Sequence, residues 1–461
     1  MFLAPRRVAF LGDDAGLGKS RQLIEAARTR KYNRIVIFCP AIGRVSWRIQ
    51  LETWGDPTWQ VMDIADKYFQ GPGAAVVLVS VQWLSDKTNR ARAERYFRRN
   101  PVDLAIIDEG QFLKGKDAAR TKAVYGGRLD LSGGVIAAAE PKAIWVASAT
   151  FTPTNIGDFY PHLRALTPDL LCRLFQSSKP PSYTHFTDRF CEKKDDGFGL
   201  KIVGNNMSTI GELGGALRPI LLARTKEQVL EDLPPIVAEP LFVRVSSKDE
   251  VREAVAQFKA DPNSLSDDEF LEALARSYAA VESAERRRYM GVLKAQQAVS
   301  HAGAFLEANP GRKLVIFCHH RDVIHEVMCW AGADGYAPVA IEGSTSTRDR
   351  DAAVHAFQND PATRVFAGQI RAASTSITLT AASRVLLIEP DPTPDVNYQA
   401  ISRCHRLGQR DSVFAQFVMD DANPIERRAA KTLIRRATDN ASFYGTDLRG
   451  VAQPGRQPNA H

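Results

Sequence analysis

The first half of the chain alternates short apolar runs, rich in β-branched residues, with amphipathic or polar stretches. RVAFLG (7–12), RIVIFCP (34–40), AVVLVSV (75–81), LAIIDEG (104–110) and AIWVASAT (143–150) are each of strand length. Runs apolar at nearly every position, without polar alternation, suit a parallel sheet covered on both faces. The same rhythm returns in KLVIFCHH (313–320), APVAIEGS (337–344), TRVFAGQ (363–369), RVLLIEP (384–390) and VFAQFVM (413–419). The predicted fold class is therefore α/β, with two lobes, each a parallel sheet flanked by helices.

Between the two series the pattern changes. The stretch after residue 157 is irregular and polar, LEDLPPIVAEP (230–240) carries a Pro-Pro break, and 248–309 reads as helix. These shifts predict a first lobe over 1–235 with an irregular, partly helical insertion at 157–222. A helical linker or protrusion follows over 236–305, then a second lobe over 306–446 and a disordered tail over 447–461. No repeat of solenoid period is present.

Composition narrows the class without choosing a chemistry. The 461 residues are 44% hydrophobic and 25% charged, as in soluble globular proteins, and exceed one ordinary core. No apolar run approaches the ~18 residues of a membrane span, and the opening MFLAPRRVAF lacks the long apolar core of a leader. A cytoplasmic protein is expected, with no membrane partner. Six cysteines stand singly without a C-x-x-C pair, which argues against a disulfide framework or a zinc finger, and no structural metal is expected. The crowded Cys318, His319, His320, His325 and Cys329 read as a strand end followed by a helix. A net charge of +7, with arginine clusters at 90–99, 286–288 and 427–436, favours a polyanionic partner, although each cluster alone reads as a solvated helix face.

Candidate chemistry begins at FLGDDAGLGKS (10–20). It follows an apolar strand and precedes a helical stretch, the context a phosphate-binding loop requires. Backbone N–H groups around Gly16, Leu17 and Gly18 can face phosphate oxygens, Lys19 can neutralise them, and Ser20 can ligate Mg2+. Asp13 stands where the generic loop has its first glycine and is expected among the nucleotide-binding residues. Asp108, at the end of the LAIID run, could hold the same metal, and Glu109 could polarise an attacking water. Ser148 and Thr150 end another strand, where hydroxyls can bond to the acid pair. In QAISRCHRLGQRDSV (399–413), Arg403 and Arg406 are three apart, on one face if the segment is helical, and could act as arginine fingers on a phosphoryl group.

Taken together and in order, these motifs resemble the Swi/Snf-type ATPases of helicase superfamily two over nearly the whole chain. DDAGLGKS is similar to that family's first motif, which carries an acid at the position of Asp13. IVIFCPAIGRVSWRIQLETW (35–54) resembles its second block, DEGQ its acid box, SAT its coupling motif, and LLARTKEQVLEDLPP (221–235) the segment leaving its first lobe. LVIFCHHRDVI, IEGSTSTRDRDAAVHAFQNDP and ITLTAASRVLLIE follow in second-lobe order, and QAISRCHRLGQ resembles the arginine-finger signature. The FCHHRDVI and FQNDP phrasing resembles the annealing-helicase and fork-remodelling branch, in a minimal bacterial or phage form.

The resemblance implies two RecA-like P-loop lobes that hydrolyse ATP with Mg2+ and translocate on double-stranded or forked DNA, as a monomeric motor. Beyond the catalytic positions, it assigns coupling to Gln111, Ser148, Ala149, Thr150 and Gln399. DNA contact falls to Pro40, Trp47 and Ser80 in the first lobe and Gly343, Ser344 and Thr380 in the second. Two departures stand out. The family has an adenine-recognising, glutamine-containing helix upstream of the loop, where this sequence has residues 1–9 before Phe10. It also has a glycine-rich turn where this chain reads Ala373-Ser374-Thr375-Ser376. An RNA- or single-strand-dependent helicase, or a nucleic-acid-binding module without hydrolysis, are the alternative readings.

Overall fold

The computed structural model describes residues 2–41, 43–66, 76–149, 151–152, 155–195, 199–230, 232–258, 260–373 and 377–438. They divide into two compact units, with the boundary between Val229 and Leu230. Thr150, the turn at Ser374–Ser376 and the tail 447–461 lie outside the described residues.

The first unit is built on a seven-stranded sheet, order β3-β4-β2-β5-β6-β1-β9. Its strands are β1 (Val8–Leu11), β2 (Ile35–Cys39), β3 (Val61–Asp63), β4 (Val76–Ser80), β5 (Leu104–Asp108), β6 (Ala143–Ala147) and β9 (Leu221–Leu222), and every pairing is parallel. The continuous apolar runs are explained by burial on both faces. Along β2, Val36 and Phe38 join one core, while Ile35, Ile37 and Cys39 join the core on the opposite face. Ile144 and Val146 of β6 alternate with Ala143, Trp145 and Ala147 in the same way. Burying each large side chain here contributes about 1.5–3 kcal/mol.

The insertion at 157–222 is not a separate body. Its helices Tyr160–Leu166, Pro168–Leu174, Tyr183–Phe190 and Ile210–Leu217 send Leu163, Leu171, Phe186 and Leu213 into the core on one sheet face. It also contains an antiparallel hairpin, β7 (Cys191–Asp195) with β8 (Leu200–Asn205).

The second unit has a six-stranded parallel sheet, order β10-β15-β14-β11-β13-β12. The strands are β10 (Ile236–Val243), β11 (Leu314–Cys318), β12 (Val339–Ile341), β13 (Val365–Gln369), β14 (Arg384–Leu387) and β15 (Val413–Asp420). Strand β10 corrects the expected helical linker, because residues 236–243 pair along their whole length with β15. Pro240 hid this strand from the sequence pattern; at an edge, its missing N–H leaves no ladder bond broken on a second side.

The helix expected over 248–309 is three helices: Lys248–Phe258, Asp267–Ala279 and Val281–Ala308. The break before the second was legible, since Ser266 and Glu269 form a reciprocal capping box. The third packs Ala295, Ala298, Ala302 and Leu306 onto the second sheet. Among the described residues, no helix is long and apolar enough to cross a membrane.

Candidate active site

Strand β1 delivers the chain to Leu11, and the loop then turns into the helix Lys19–Thr29. Gly16 and Gly18 adopt φ of 95° and 72°, a left-handed conformation that a side chain would strain. The first N–H groups of the helix lack intrahelical partners, so its start is suited to an anion. Lys19 Nζ donates to the carbonyls of Asp13 (2.8 Å) and Asp14 (3.1 Å). Desolvation pulls its pKa below the usual lysine range, against the opposing pull of Glu109, Asp108, Asp13 and Asp14.

Asp13 is fully buried. Its Oδ1 accepts from the backbone N–H and Nε of Arg224, each at 3.1 Å, and its Oδ2 from Arg224 Nη2 and from Gln22 Nε2 at 3.0 Å. Gln22 Oε1 accepts a further bond from Arg224 Nη2 at 2.9 Å. The exit segment runs beside the loop, with Gly12 N–H bonded to Leu222 O and Asp14 N–H to Arg224 O. The carboxylate expected to face a nucleotide is therefore committed within the protein, and it ties the loop to the segment leaving the unit. Arg224 and Gln22 were missed in the sequence, because a cross-link spanning 211 positions leaves no local pattern.

The acid box stands at the end of β5. Trp47 Nε1 donates to Asp108 Oδ2 at 2.8 Å. Burial and the neighbouring Glu109 push the Asp108 carboxyl up to about 7. Glu109 has φ of 53°, unusual for a residue with a side chain. Its Oε2 accepts from Gln111 Nε2 at 2.6 Å, and Gln111 Oε1 accepts from Ser148 Oγ at 2.6 Å. Three of the sequence-predicted residues are thus joined in one hydrogen-bonded line. Ala149, two residues past the end of β6, is half-buried, and Ser20 lies half-buried in the first turn of the loop helix.

Behind this line lie two residues the sequence did not flag. His162 and Tyr125 are fully buried; His162 Nε2 donates to Gly110 O at 3.0 Å, and Tyr125 Oη donates to His162 Nδ1 at 2.7 Å. A carbonyl only accepts, so the proton sits on Nε2. Burial lowers the His162 pKa to about 4 and raises that of Tyr125, keeping both neutral. Gly110 has no room for a Cβ, which would meet Val146 Cγ1 at 2.9 Å and His162 Cε1 at 3.3 Å.

The expected first-lobe DNA contacts are corrected by burial. Trp47 is 1% exposed and spends its indole N–H on Asp108. Ser80 is 2% exposed, with its hydroxyl bonded to Gln82 Oε1 at 3.1 Å, and Pro40 is buried. These side chains cannot meet a phosphate; they shape the strand ends, where Gln82 Oε1 also accepts from Ala41 N–H.

In the second unit, the helix carrying Gln399 ends at Ile401, so Arg403 and Arg406 sit in the turns beyond it instead of on a helical face. Arg403 is buried, and its Nε donates to Gln399 O at 3.2 Å. Arg406 donates to Ser402 O at 3.1 Å and to Thr378 Oγ1 at 3.2 Å. Desolvation lowers its pKa to about 10, still cationic at neutral pH. Gln409 fixes this turn by donating to the carbonyls of Thr380, Ala382 and Cys404. Gly343 and Ser344 are exposed, and Thr380 is half-buried with Oγ1 accepting from Gln358.

Residues 5–254 match the family model described as the SNF2-related domain, and residues 297–408 match the helicase conserved C-terminal domain. The chain belongs to the SNF2-related family. Similar to this SNF2-related chain is the Caenorhabditis elegans homolog of SWI/SNF-related matrix-associated actin-dependent regulator of chromatin subfamily A-like protein 1. It is 29% identical, over 89% of this chain and 55% of that protein. The mouse (Mus musculus) DNA annealing helicase and endonuclease ZRANB3 is 25% identical, over 89% of this chain and 36% of its own. The chain thus spans about half or less of the curated relatives it matches. A solved Sulfolobus solfataricus SWI2/SNF2 ATPase core in complex with dsDNA aligns with TM-score 0.40 and 19% identity, over 96% of this chain and 90% of that one.

Proposed function

We propose that this SNF2-related chain is an ATPase activated by duplex or forked DNA, which uses hydrolysis to translocate along it as a monomer. The observation that carries the reading is the bonded line Ser148–Gln111–Glu109, standing with Asp108 in electrostatic reach of Lys19. In this reading Gly16, Leu17 and Gly18 offer backbone N–H groups to the ATP phosphates, and Lys19 neutralises their charge. Glu109 orients the attacking water and accepts its proton. Ser148, Gln111, Ala149, Thr150 and Gln399 relay the state of the site. Arg403 and Arg406 stabilise charge on the phosphoryl group in transfer.

The donor set suits Mg2+: burial and Glu109 push the Asp108 carboxyl up to about 7 against the pull of Lys19, a dication would favour its charged form further, and Ser20 offers a neutral oxygen. Bound there by Ser20 and Asp108, Mg2+ would spread the negative charge of the phosphates. DNA as the polyanion is supported by the net charge of +7 and by the relatives' names, a regulator of chromatin and a DNA annealing helicase. Exposed Gly343 and Ser344, with Thr380, are the remaining candidates for contact with its backbone, where salt governs affinity.

The test is steady-state ATP turnover across duplex, forked and single-stranded DNA and RNA. Strong stimulation by duplex or forked DNA is expected. Stimulation by RNA alone would favour the RNA-dependent reading, and DNA binding without turnover the binding-module reading.

A further inference from the structure

The chemistry at Glu109 depends on a strained backbone, and the structure shows what holds it. Glu109 sits at φ 53°, and the residue after it is a glycine against which Val146 and His162 close to within contact distance. The Gly110–Gln111 peptide is the pivot of the site. Its carbonyl belongs to Gly110, and its N–H belongs to Gln111, whose side chain bonds both Glu109 and Ser148. Rotation of that one peptide would swing Gln111 away from both partners.

The carbonyl is gripped from behind by His162 Nε2 at 3.0 Å, and the opposite ring nitrogen is held by Tyr125 Oη at 2.7 Å. The imidazole cannot turn, since Phe10, Phe151 and Phe159 surround it with ring centroids 6.4, 6.0 and 5.9 Å away. A histidine in an aromatic core is an expensive choice for filling space, because both nitrogens need partners where water does not reach. Here each nitrogen has one, and the pair defines a single tautomer and a single ring orientation.

We infer that Tyr125 and His162 are positioning residues for ATP hydrolysis: through the Gly110 carbonyl they fix the peptide that aims Gln111, and through Gln111 they aim Glu109. This inference rests on the reading of Glu109 as the group that activates water. Neither residue touches nucleotide, so their loss slows turnover and leaves binding intact. A misaimed catalytic group costs on the order of tenfold to a hundredfold in rate.

The experiment measures kcat and KM for ATP at saturating duplex DNA, together with thermal midpoints, for the wild type, Tyr125→Phe, His162→Leu, His162→Gln, Glu109→Gln and the double variant His162→Leu/Glu109→Gln. His162→Leu is expected to lower kcat about tenfold or more with KM within about twofold, and Tyr125→Phe to lower it severalfold. His162→Gln, whose amide can still donate to the carbonyl, recovers much of the rate. The double variant is no slower than Glu109→Gln alone, because both changes remove the same function. Should His162→Leu prove too unstable, Tyr125→Phe, which removes one oxygen atom, carries the test. Full kcat in both Tyr125→Phe and His162→Leu overturns the inference, as does an equal loss from His162→Leu in the Glu109→Gln background. A wild type without DNA-stimulated turnover, or an active Glu109→Gln, instead overturns the functional reading on which the inference stands.

Discussion

The phosphate loop of the first unit and the arginine turn of the second handle charge in opposite ways. Around the loop, Asp13 faces Arg224, and Lys19 lies within the field of Asp108, Glu109, Asp13 and Asp14. The four carboxylates outnumber the two cations, so each cation already has a counter-ion. In the second unit Arg406 is held by oxygens without formal charge, Ser402 O and Thr378 Oγ1, and among the described residues no carboxylate pairs with it. A guanidinium fixed by neutral acceptors keeps its charge for something else, and a transferring phosphoryl group is what the family reading supplies. In the first unit the cations are paired within the protein; in the second a cation stands among neutral acceptors.

The largest effects should come from breaking either side of that contrast. Lys19→Ala is expected to reduce ATP turnover to background, read by phosphate release at saturating DNA. Arg406→Ala is expected to lower kcat about a thousandfold, in the range of arginine fingers, with ATP affinity little changed. Arg406→Lys should recover only a small part, because one ammonium cannot reproduce the planar fork that meets both Ser402 O and Thr378 Oγ1.

A smaller effect is expected from the loop clamp. Asp13→Ala strips a buried acceptor from Arg224 and Gln22 and should destabilise the first unit by about 1–3 kcal/mol in chemical unfolding. Unchanged stability would mean that the Asp13–Arg224 pair holds nothing in place.

A further effect on stability sits behind the acid box and shows only in acid. His162 titrates near 4 in the folded protein and near 6.5 when unfolded, so below pH 6.5 the unfolded chain takes the proton first. Its contribution to stability is complete above about 6.5 and shrinks as pH falls toward 4, by about 1.4 kcal/mol per pH unit within that window. His162→Gln should flatten that part of the stability profile relative to wild type; identical slopes would contradict a neutral buried imidazole.

How much of this was readable in advance follows from where each signal resides. The long central strands were legible because parallel strands buried on both faces must be apolar nearly throughout, as β2 and β6 are at every position and β5 is up to Asp108. Strands β3 and β9, with three and two residues, are too short to show a pattern, and β10 was masked by Pro240. Lys19, Asp108, Glu109, Arg403 and Arg406 could be singled out as candidates from the sequence because motif chemistry is local. Trp47 was singled out but given the wrong role, since a tryptophan in a motif reads as a surface platform until its burial and its bond to Asp108 are known. Arg224, Gln22, His162 and Tyr125 act across long sequence separations, and only the folded chain brings them to their partners.

Whether Glu109 drives a DNA-activated ATPase is best decided by ATP hydrolysis in the wild type and Glu109→Gln, with and without saturating duplex DNA. ATP and DNA binding by both proteins are measured alongside. Slow wild-type turnover that rises steeply with duplex DNA is expected, with a Glu109→Gln protein that binds both ligands but turns over only at a small residual rate. A wild type indifferent to DNA, or a Glu109→Gln protein hydrolysing ATP at the wild-type rate, would contradict it.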